Sequence, residues 1–412
     1  MPAVTVFVGA TLYPVSAPPI EDAVLLVRGD EIVAVGPRVD VSVPDGAEVV
    51  DVSGKTIIPG LVDLHSHIGG GRLHERLDFA QPGISAIDAI DPSHASIQRA
   101  QAGGITTANV MPGSGKLMGG QTAYLDLVDA VTVDEMLHCG AGRWESVCGG
   151  MKMANGTNPQ GRGGDPTSRM GSAYLQRTAL QQGVERLAAL PSDDGAKKKR
   201  RKKAPEPPEP DLDADAMAEI ISGERIIHFH SHRADDIVTA LRLQEAFGFR
   251  LVLHHGSEGF KVADEIAAAG VPVAINVLDT PGGKEETLER RLQNPAQLAA
   301  AGVEIAIITD DPVQDSRLLL RSAGLAVRGG LSEDDALKAL TLTPATLIDL
   351  GDRIGSLEPG KEADFVILSG PPLSVWSLVE QTYNDGVSVF DRSDPLQAAY
   401  ATGGDEAIQE GR

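Results

Sequence analysis

The histidines are the residues of this chain best placed to do chemistry. Ten are present, and seven fall into three short clusters: His65 and His67; His228, His230 and His232; His254 and His255. Each cluster closes an apolar run: LVDLHSH, RIIHFHSH and LVLHH. In a β-strand, residues i and i+2 project to the same side. His65 and His67 therefore converge on one point, and His228, His230 and His232 share a face. Neutral imidazole nitrogens suit Zn²⁺ and similar divalent ions. A carboxylate commonly completes such a site, and IAIITDDP supplies Asp310, with Asp311 beside it. The pattern predicts a metal centre assembled from separate strand ends.

Groups so distant in sequence meet only if a fold gathers those ends. From residue 60 onward, short β-rich runs (GITTANVMPG, RIIHFHSH, FRLVLHHG, GVPVAINV, GVEIAIITDD) alternate with stretches such as DDIVTALRLQEAFG and EGFKVADEIAAAG. The latter carry apolar residues at helical spacing and stop at Gly. Such alternation implies a parallel sheet buried on both faces. In a parallel barrel the C-terminal strand ends form one mouth, where active sites are built. We therefore expect an α/β protein whose residues 60–354 form a (β/α)₈ TIM barrel, although residues 113–190 do not parse into clear units. Residues 1–59 read as short strands, with a hairpin turning at Gly29–Asp30. Strand texture returns over 355–412, and the natural reading is that both chain ends build one β-sandwich.

The bulk properties narrow the partners. A net charge of −22 over 412 residues repels nucleic acid and anionic membranes, so neither is expected, and a small-molecule substrate is. A homo-oligomer is left open. With two cysteines, Cys139 and Cys148, a structural disulfide is the less expected reading. The N-terminal stretch lacks the features of a signal peptide, and no apolar run reaches the ~18–20 residues of a membrane span. The expected location is the cytoplasm. Residues 191–216, PSDDGAKKKRRKKAPEPPEPDLDADA, read as a solvated, mobile insertion between two barrel units rather than a localisation signal or anion-binding patch.

In this order, PGLVDLHSH, HFHSHRADDI, VLHHGSE and IITDDP resemble the metal-dependent amidohydrolase superfamily. The flanking GATLYP, GDEIVAVG, VVDVSGKTIIPGLVD and IGSLEPGKEADFVILSG are similar to the sandwich segments of imidazolonepropionase-like members. The resemblance spans nearly the whole chain apart from the charged insertion. It implies a barrel with a composite β-sandwich and one or two divalent ions, Zn²⁺ foremost. It implies His65 and His67 as first-strand ligands, His230 from the fifth strand, His255 from the sixth and Asp310 from the eighth. His228 and His232 then orient ligands or touch substrate. His254, pointing away from His255, reads as a hydrogen-bonded core residue. Many two-metal relatives bridge their ions with a carboxylated Lys or a Glu. Lys152 and Lys116 are candidate lysines, while Asp126 stands where similar sequences lead us to expect a lysine. That departure favours one ion.

The chemistry such a site supports is hydrolysis of a non-peptide C–N bond in an amide, cyclic amide or N-acyl compound. Asp310 is expected to act as general base and then general acid, with His255 helping to polarise the carbonyl. His232, Arg233 and Lys284 are the expected substrate contacts, the two cations suiting a carboxylate. The Gly-rich loops MPGSGKLMGGQ and LDTPGGKEE would frame the mouth but lack phosphate-binding spacing. Three alternatives remain. A deaminase of this superfamily commonly shows His-x-x-Glu after the fifth strand, whereas His230 is followed by Ser231, His232 and Arg233. A dipeptidase-like activity fits the second histidine there. An inactive scaffold would be expected to have lost ligands that this chain retains.

Overall fold

The computed structural model describes residues 4–75, 77–139, 146–161, 166–191, 208–277 and 284–404. In chain order the strands are β1 (Val4–Leu12), β2 (Ile20–Arg28), β3 (Glu31–Pro37), β4 (Glu48–Asp51), β5 (Thr56–Pro59), β6 (Leu61–Ser66), β7 (Ile105–Val110), β8 (Met118–Gln121) and β9 (Ala123–Asp126). They continue with β10 (Met151–Ala154), β11 (Ile227–Ser231), β12 (Leu251–His255), β13 (Val273–Ile275), β14 (Ile305–Ile307), β15 (Phe365–Leu368), β16 (Val379–Asn384) and β17 (Val387–Asp391).

Strands from both chain ends share one sheet, ordered β17-β16-β15-β5-β1-β2-β3 with β4 beside β1. The hairpin between β2 and β3 turns at Gly29, whose φ of +62° suits a residue without Cβ. The two chain ends join where β5 and β15 run antiparallel, Ile57 opposite Ile367. Phe7, Phe365 and Tyr383 pack their rings across this joint, with centroids 4.5–5.2 Å apart. Leu12, Leu25 and Ile57 are buried in the same cluster, each contributing about 1.5–3 kcal/mol.

The region between is TIM-barrel-like. Strands β14-β13-β12-β11-β10-β8 form one sheet and β6-β7-β9 another. Most pairs are parallel, as the alternation predicts, but β8 and β9 run antiparallel to β10 and β7. Residues 118–126 thus link the two sheets. At the other edge, Ser66 pairs with Asp311, so the ends of β6 and β14 lie side by side. Helices α1 (Ala95–Ala102), α2 (Arg169–Ala189), α3 (Leu212–Ser222) and α4 (Ala234–Phe247) are the first of those that accompany these strands.

The poorly parsed stretch contains α2. Its buried residues are Ser172, Ala173, Gln176, Ala179, Leu180 and Gly183, too small and polar to show as an apolar stripe. The acidic end of the charged insertion also folds. Asp211 caps α3 by accepting from Ala214 N, with Asp213 and Asp215 in the first turn, where negative charge suits the helix dipole. Asp215 pairs with Arg186 of α2 at 2.6 Å. The insertion as read from sequence therefore runs too far, and its basic run lies outside the described residues. Cys139 and Cys148 are joined in a disulfide, contrary to the reading from cysteine number alone. Their Cα atoms lie 5.3 Å apart, within bridging distance, a proximity that no count reveals. No described helix is long and apolar enough to cross a membrane.

Candidate metal centre

The ends of β6 and β14 are stapled together before any ligand is considered. Asp63, fully buried on β6, accepts from His65 N at 3.1 Å, from Thr309 N at 3.2 Å and from the Thr309 hydroxyl. Burial nevertheless pushes its carboxyl up to about 7. Asp310 N donates to His65 O at 2.8 Å and His67 N to Asp311 O at 2.9 Å. Asp310 thus faces the histidines. Asp311 turns the other way, accepting from Ser316 and facing Arg99 at 3.5 Å.

Asp310 Oδ1 lies 3.1 Å from His67 Nε2 and 3.3 Å from His65 Nε2. The three ligand atoms His65, His67 and Asp310 offer lie within 4.8 Å of one another. His67 Nδ1 is 2.7 Å from the Met111 carbonyl oxygen, which only accepts, so Nδ1 carries the hydrogen of the neutral ring. The Nε2 lone pair then faces a carboxylate oxygen. Two acceptors so close need positive charge between them, a proton or a metal cation.

His230 and His255 extend the cluster, their ring centroids 4.4 Å apart, and His255 lies 4.8 Å from His65. His255 Nδ1 is hydrogen-bonded to Asn276 Oδ1, whose amide nitrogen donates to Thr309 O at 2.9 Å. The hydrogen therefore sits on His255 Nδ1, and Nε2 is left as a lone pair. His230 Nδ1 meets Ser114 Oγ at 3.0 Å. The Nε2 atoms of both rings are buried without a hydrogen-bond partner. Buried, unsatisfied imidazole nitrogens are what a cation site requires. His255 and Asp310 both have positive φ, 72° and 58°. Such a backbone is uncommon for these residues and concentrates at functional sites.

Lys152 enters the same space from β10. It is fully buried, with Nζ 2.9 Å from His65 Nε2 and 3.0 Å from Met111 Sδ. Burial brings its ammonium down to about 7, helped by Lys284 and opposed by Asp310. For Asp310, burial pulls the carboxyl up, but the nearness of His67, His255 and Lys152 outweighs it and holds it below its usual range.

The other expected residues divide. His232 is buried, its ring 4.9 Å from His255 and its Nδ1 2.8 Å from Ser257 Oγ. Lys284 is exposed, donates to Asn158 at 2.7 Å and senses the Asp310 charge. Arg233 is not brought in, since it forms a bidentate pair with Asp235 at the surface. Of the loop LDTPGGKEE, residues 278–283 lie outside the described residues. Lys116 instead lines a cavity of about 440 Å³ with His74, Gln81 and Asn158. His228 and His254 lie deeper, bonded to each other, and His254 also meets His65 at 3.0 Å.

Asp126 is a correction. Because β9 runs antiparallel to β7, Asp126 sits opposite Thr107, near the start of β7. The candidate centre lies at the other end. Burial and the neighbouring Asp364 and Asp385 raise its carboxyl well above normal. It cannot bridge ions at the histidines. Ser114 and Asn276 escaped the sequence reading, although both follow apolar runs at the same rim.

The buried rings make stability depend on pH. Burial pushes His228 down to about 3 and His255 to about 4. Between those values and 6.5 the unfolded chain binds more protons, so stability rises with pH there and is lost as pH falls. For metal-free protein we expect the urea midpoint to drop steadily from pH 6.5 towards 4, as the unfolding free energy falls by a few kcal/mol in all. A flat profile would show that these rings are not held neutral.

With the fold and this cluster in view, similarity to known proteins agrees. The model of the amidohydrolase family matches residues 56–389, and the chain belongs to that family. A solved amidohydrolase from Thermotoga maritima MSB8 is 34% identical, with a TM-score of 0.82 covering 94% of this chain and 100% of that one. The imidazolonepropionase of Deinococcus radiodurans is 27% identical over 381 residues, covering 85% of this chain and 86% of that protein. Amidohydrolase tasK of Hapsidospora irregularis is 26% identical over 380 residues, but this chain spans only 38% of its length.

Proposed function

We propose that the protein is a metal-dependent hydrolase of a non-peptide C–N bond in an amide, cyclic amide or N-acyl compound. The observation that carries this is the convergence of His65, His67 and Asp310, with the buried, unpartnered Nε2 atoms of His230 and His255 on the neighbouring rings. These five residues would hold the ion, most simply Zn²⁺ given the nitrogen-rich donor set. A bound divalent ion supplies Lewis acidity towards water and a carbonyl. Asp310, ionised at neutral pH, takes a proton from the attacking water and returns it to the leaving nitrogen. Asn276 holds His255 by its Nδ1–H, so the Nε2 lone pair would serve the ion, and polarising the carbonyl would fall to the ion.

Of the two candidate lysines, Lys152 is the one we assign to the bridging role for which Asp126 had stood as a departure. As a neutral amine it can add CO₂, forming an N–C bond and releasing one proton. The resulting carbamate would offer two oxygens and allow a second ion, against the single ion favoured from sequence. The cavity beside the cluster would admit substrate, with Lys284 near a substrate carboxylate. In this reading the two sheets of residues 60–354 close into a (β/α)₈ barrel, and residues 1–59 and 355–412 form a composite β-sandwich.

The test is metal analysis of purified protein, then a screen of the metal-loaded enzyme for amine release. The panel is N-acyl amino acids, cyclic amides and dipeptides, with an amidine substrate for deamination. We expect one or two ions per chain and turnover of an N-acyl or cyclic amide that chelation abolishes. Protein that binds no divalent metal, or that turns over only dipeptides or amidines, overturns this reading.

A further inference from the structure

A row of buried rings leaves the candidate metal centre and runs through the interior. His65 Nδ1 lies 3.0 Å from His254 Nδ1, His254 Nε2 lies 2.8 Å from His228 Nδ1, and His228 Nε2 lies 2.9 Å from the Tyr124 hydroxyl. All three rings have 0% exposure. Nothing in the proposed hydrolysis uses His254, His228 or Tyr124.

A neutral imidazole carries one ring hydrogen, so it donates at one nitrogen and accepts at the other. His254 and His228 are each engaged at both ring nitrogens, and the row ends on the Tyr124 hydroxyl. The row then has two arrangements. In the outward one, His65 Nδ1–H donates to His254 Nδ1, His254 Nε2–H to His228 Nδ1, and His228 Nε2–H to the Tyr124 oxygen. His65 Nε2 is then a lone pair directed at the ligand cluster. In the inward one every donor reverses, starting from the Tyr124 O–H. His65 then carries its hydrogen on Nε2 and has no lone pair to offer a cation. Mixed arrangements set two donors or two acceptors against each other, which is costly in a buried site.

We infer that Tyr124, His228 and His254 are positioning residues that set the tautomer of His65, and that cation binding there fixes the outward arrangement along the whole row. This rests on the metal site proposed above. The row ends at a cavity of about 180 Å³ that Tyr124 lines with Glu224 and Ile226. Those two residues precede β11, so the cavity lies at the opposite ends of the strands from the ligands. In the outward arrangement the Tyr124 hydroxyl hydrogen is free to turn towards that cavity.

The experiment measures Zn²⁺ affinity of the full-length protein by competition with a chromophoric chelator. Wild type is compared with His254→Phe, His254→Gln and Tyr124→Phe. Removing the acceptor for His65 Nδ1–H in His254→Phe should weaken binding about 10–100-fold, the usual effect of losing a group that orients a ligand. His254→Gln, which keeps an amide oxygen, should recover most of that loss. Tyr124→Phe should weaken binding about 10-fold, from beyond any contact with the ion. Long-range ¹H–¹⁵N spectra of histidine-labelled, Zn²⁺-loaded wild type provide a check that needs no variant. They should show hydrogen on Nδ1 of His65, Nε2 of His254 and Nε2 of His228. Wild-type affinity in His254→Phe, or hydrogen on His254 Nδ1 in the loaded protein, overturns the inference while leaving the metal site standing. Failure of wild type to bind Zn²⁺ overturns both.

Discussion

Asp310→Asn is expected to lower turnover by about 10²–10⁴-fold while most of the metal stays bound. The two side chains have the same shape, and Asn keeps an oxygen where Asp310 Oδ1 now lies, 3.1 Å from His67 Nε2 and 3.3 Å from His65 Nε2. What it lacks is the charge and the capacity to accept a proton. The wild-type carboxyl has both, because His67 and the charges around it hold it ionised despite burial. The backbone at this position, at φ +58°, tolerates Asn as readily as Asp. Metal content by atomic emission and steady-state rates with the substrate found in the screen decide the matter. Metal retained with near-wild-type turnover would remove Asp310 from its role as base and acid.

Lys152→Met is the second large effect. Bound metal and turnover should both fall, affinity by about 100-fold, the upper end for groups that support a ligand set. Folding should survive. A buried lysine whose ammonium has come down to about 7 costs the folded state a few kcal/mol at neutral pH and below. Met fills a similar volume without that cost, so the metal-free variant should be at least as stable as wild type. Loss of metal with gain of stability is the signature of a residue kept for its chemistry. Growth with ¹³C-bicarbonate supplies an independent reading, a carbamate carbon resonance in wild type that Lys152→Met lacks. A variant that binds metal as wild type does would show that Lys152 only fills space.

What the sequence determined by itself was local. Alternation along a strand told which residues project together, so His65 with His67 and the row His228, His230, His232 were legible without coordinates. The apolar runs that carry them marked strand ends, and Asp310 followed from the same logic. So did the hairpin at Gly29, whereas the pairing of the two chain ends was expected mainly from the family resemblance. Strand direction and register are set by pairing with distant segments, and there the sequence was silent or misleading. Asp126 stood where a lysine was expected, but β9 runs antiparallel to β7, which carries it to the end away from the histidines. Lys152, on the short strand MKMA, could be named but not placed. The disulfide, the polar buried face of α2 and the contact of His254 with His65 likewise depend on which surfaces meet. Side-chain alternation is a property of a few consecutive residues, whereas the position of a strand end in space is a property of every pairing that precedes it around the sheet.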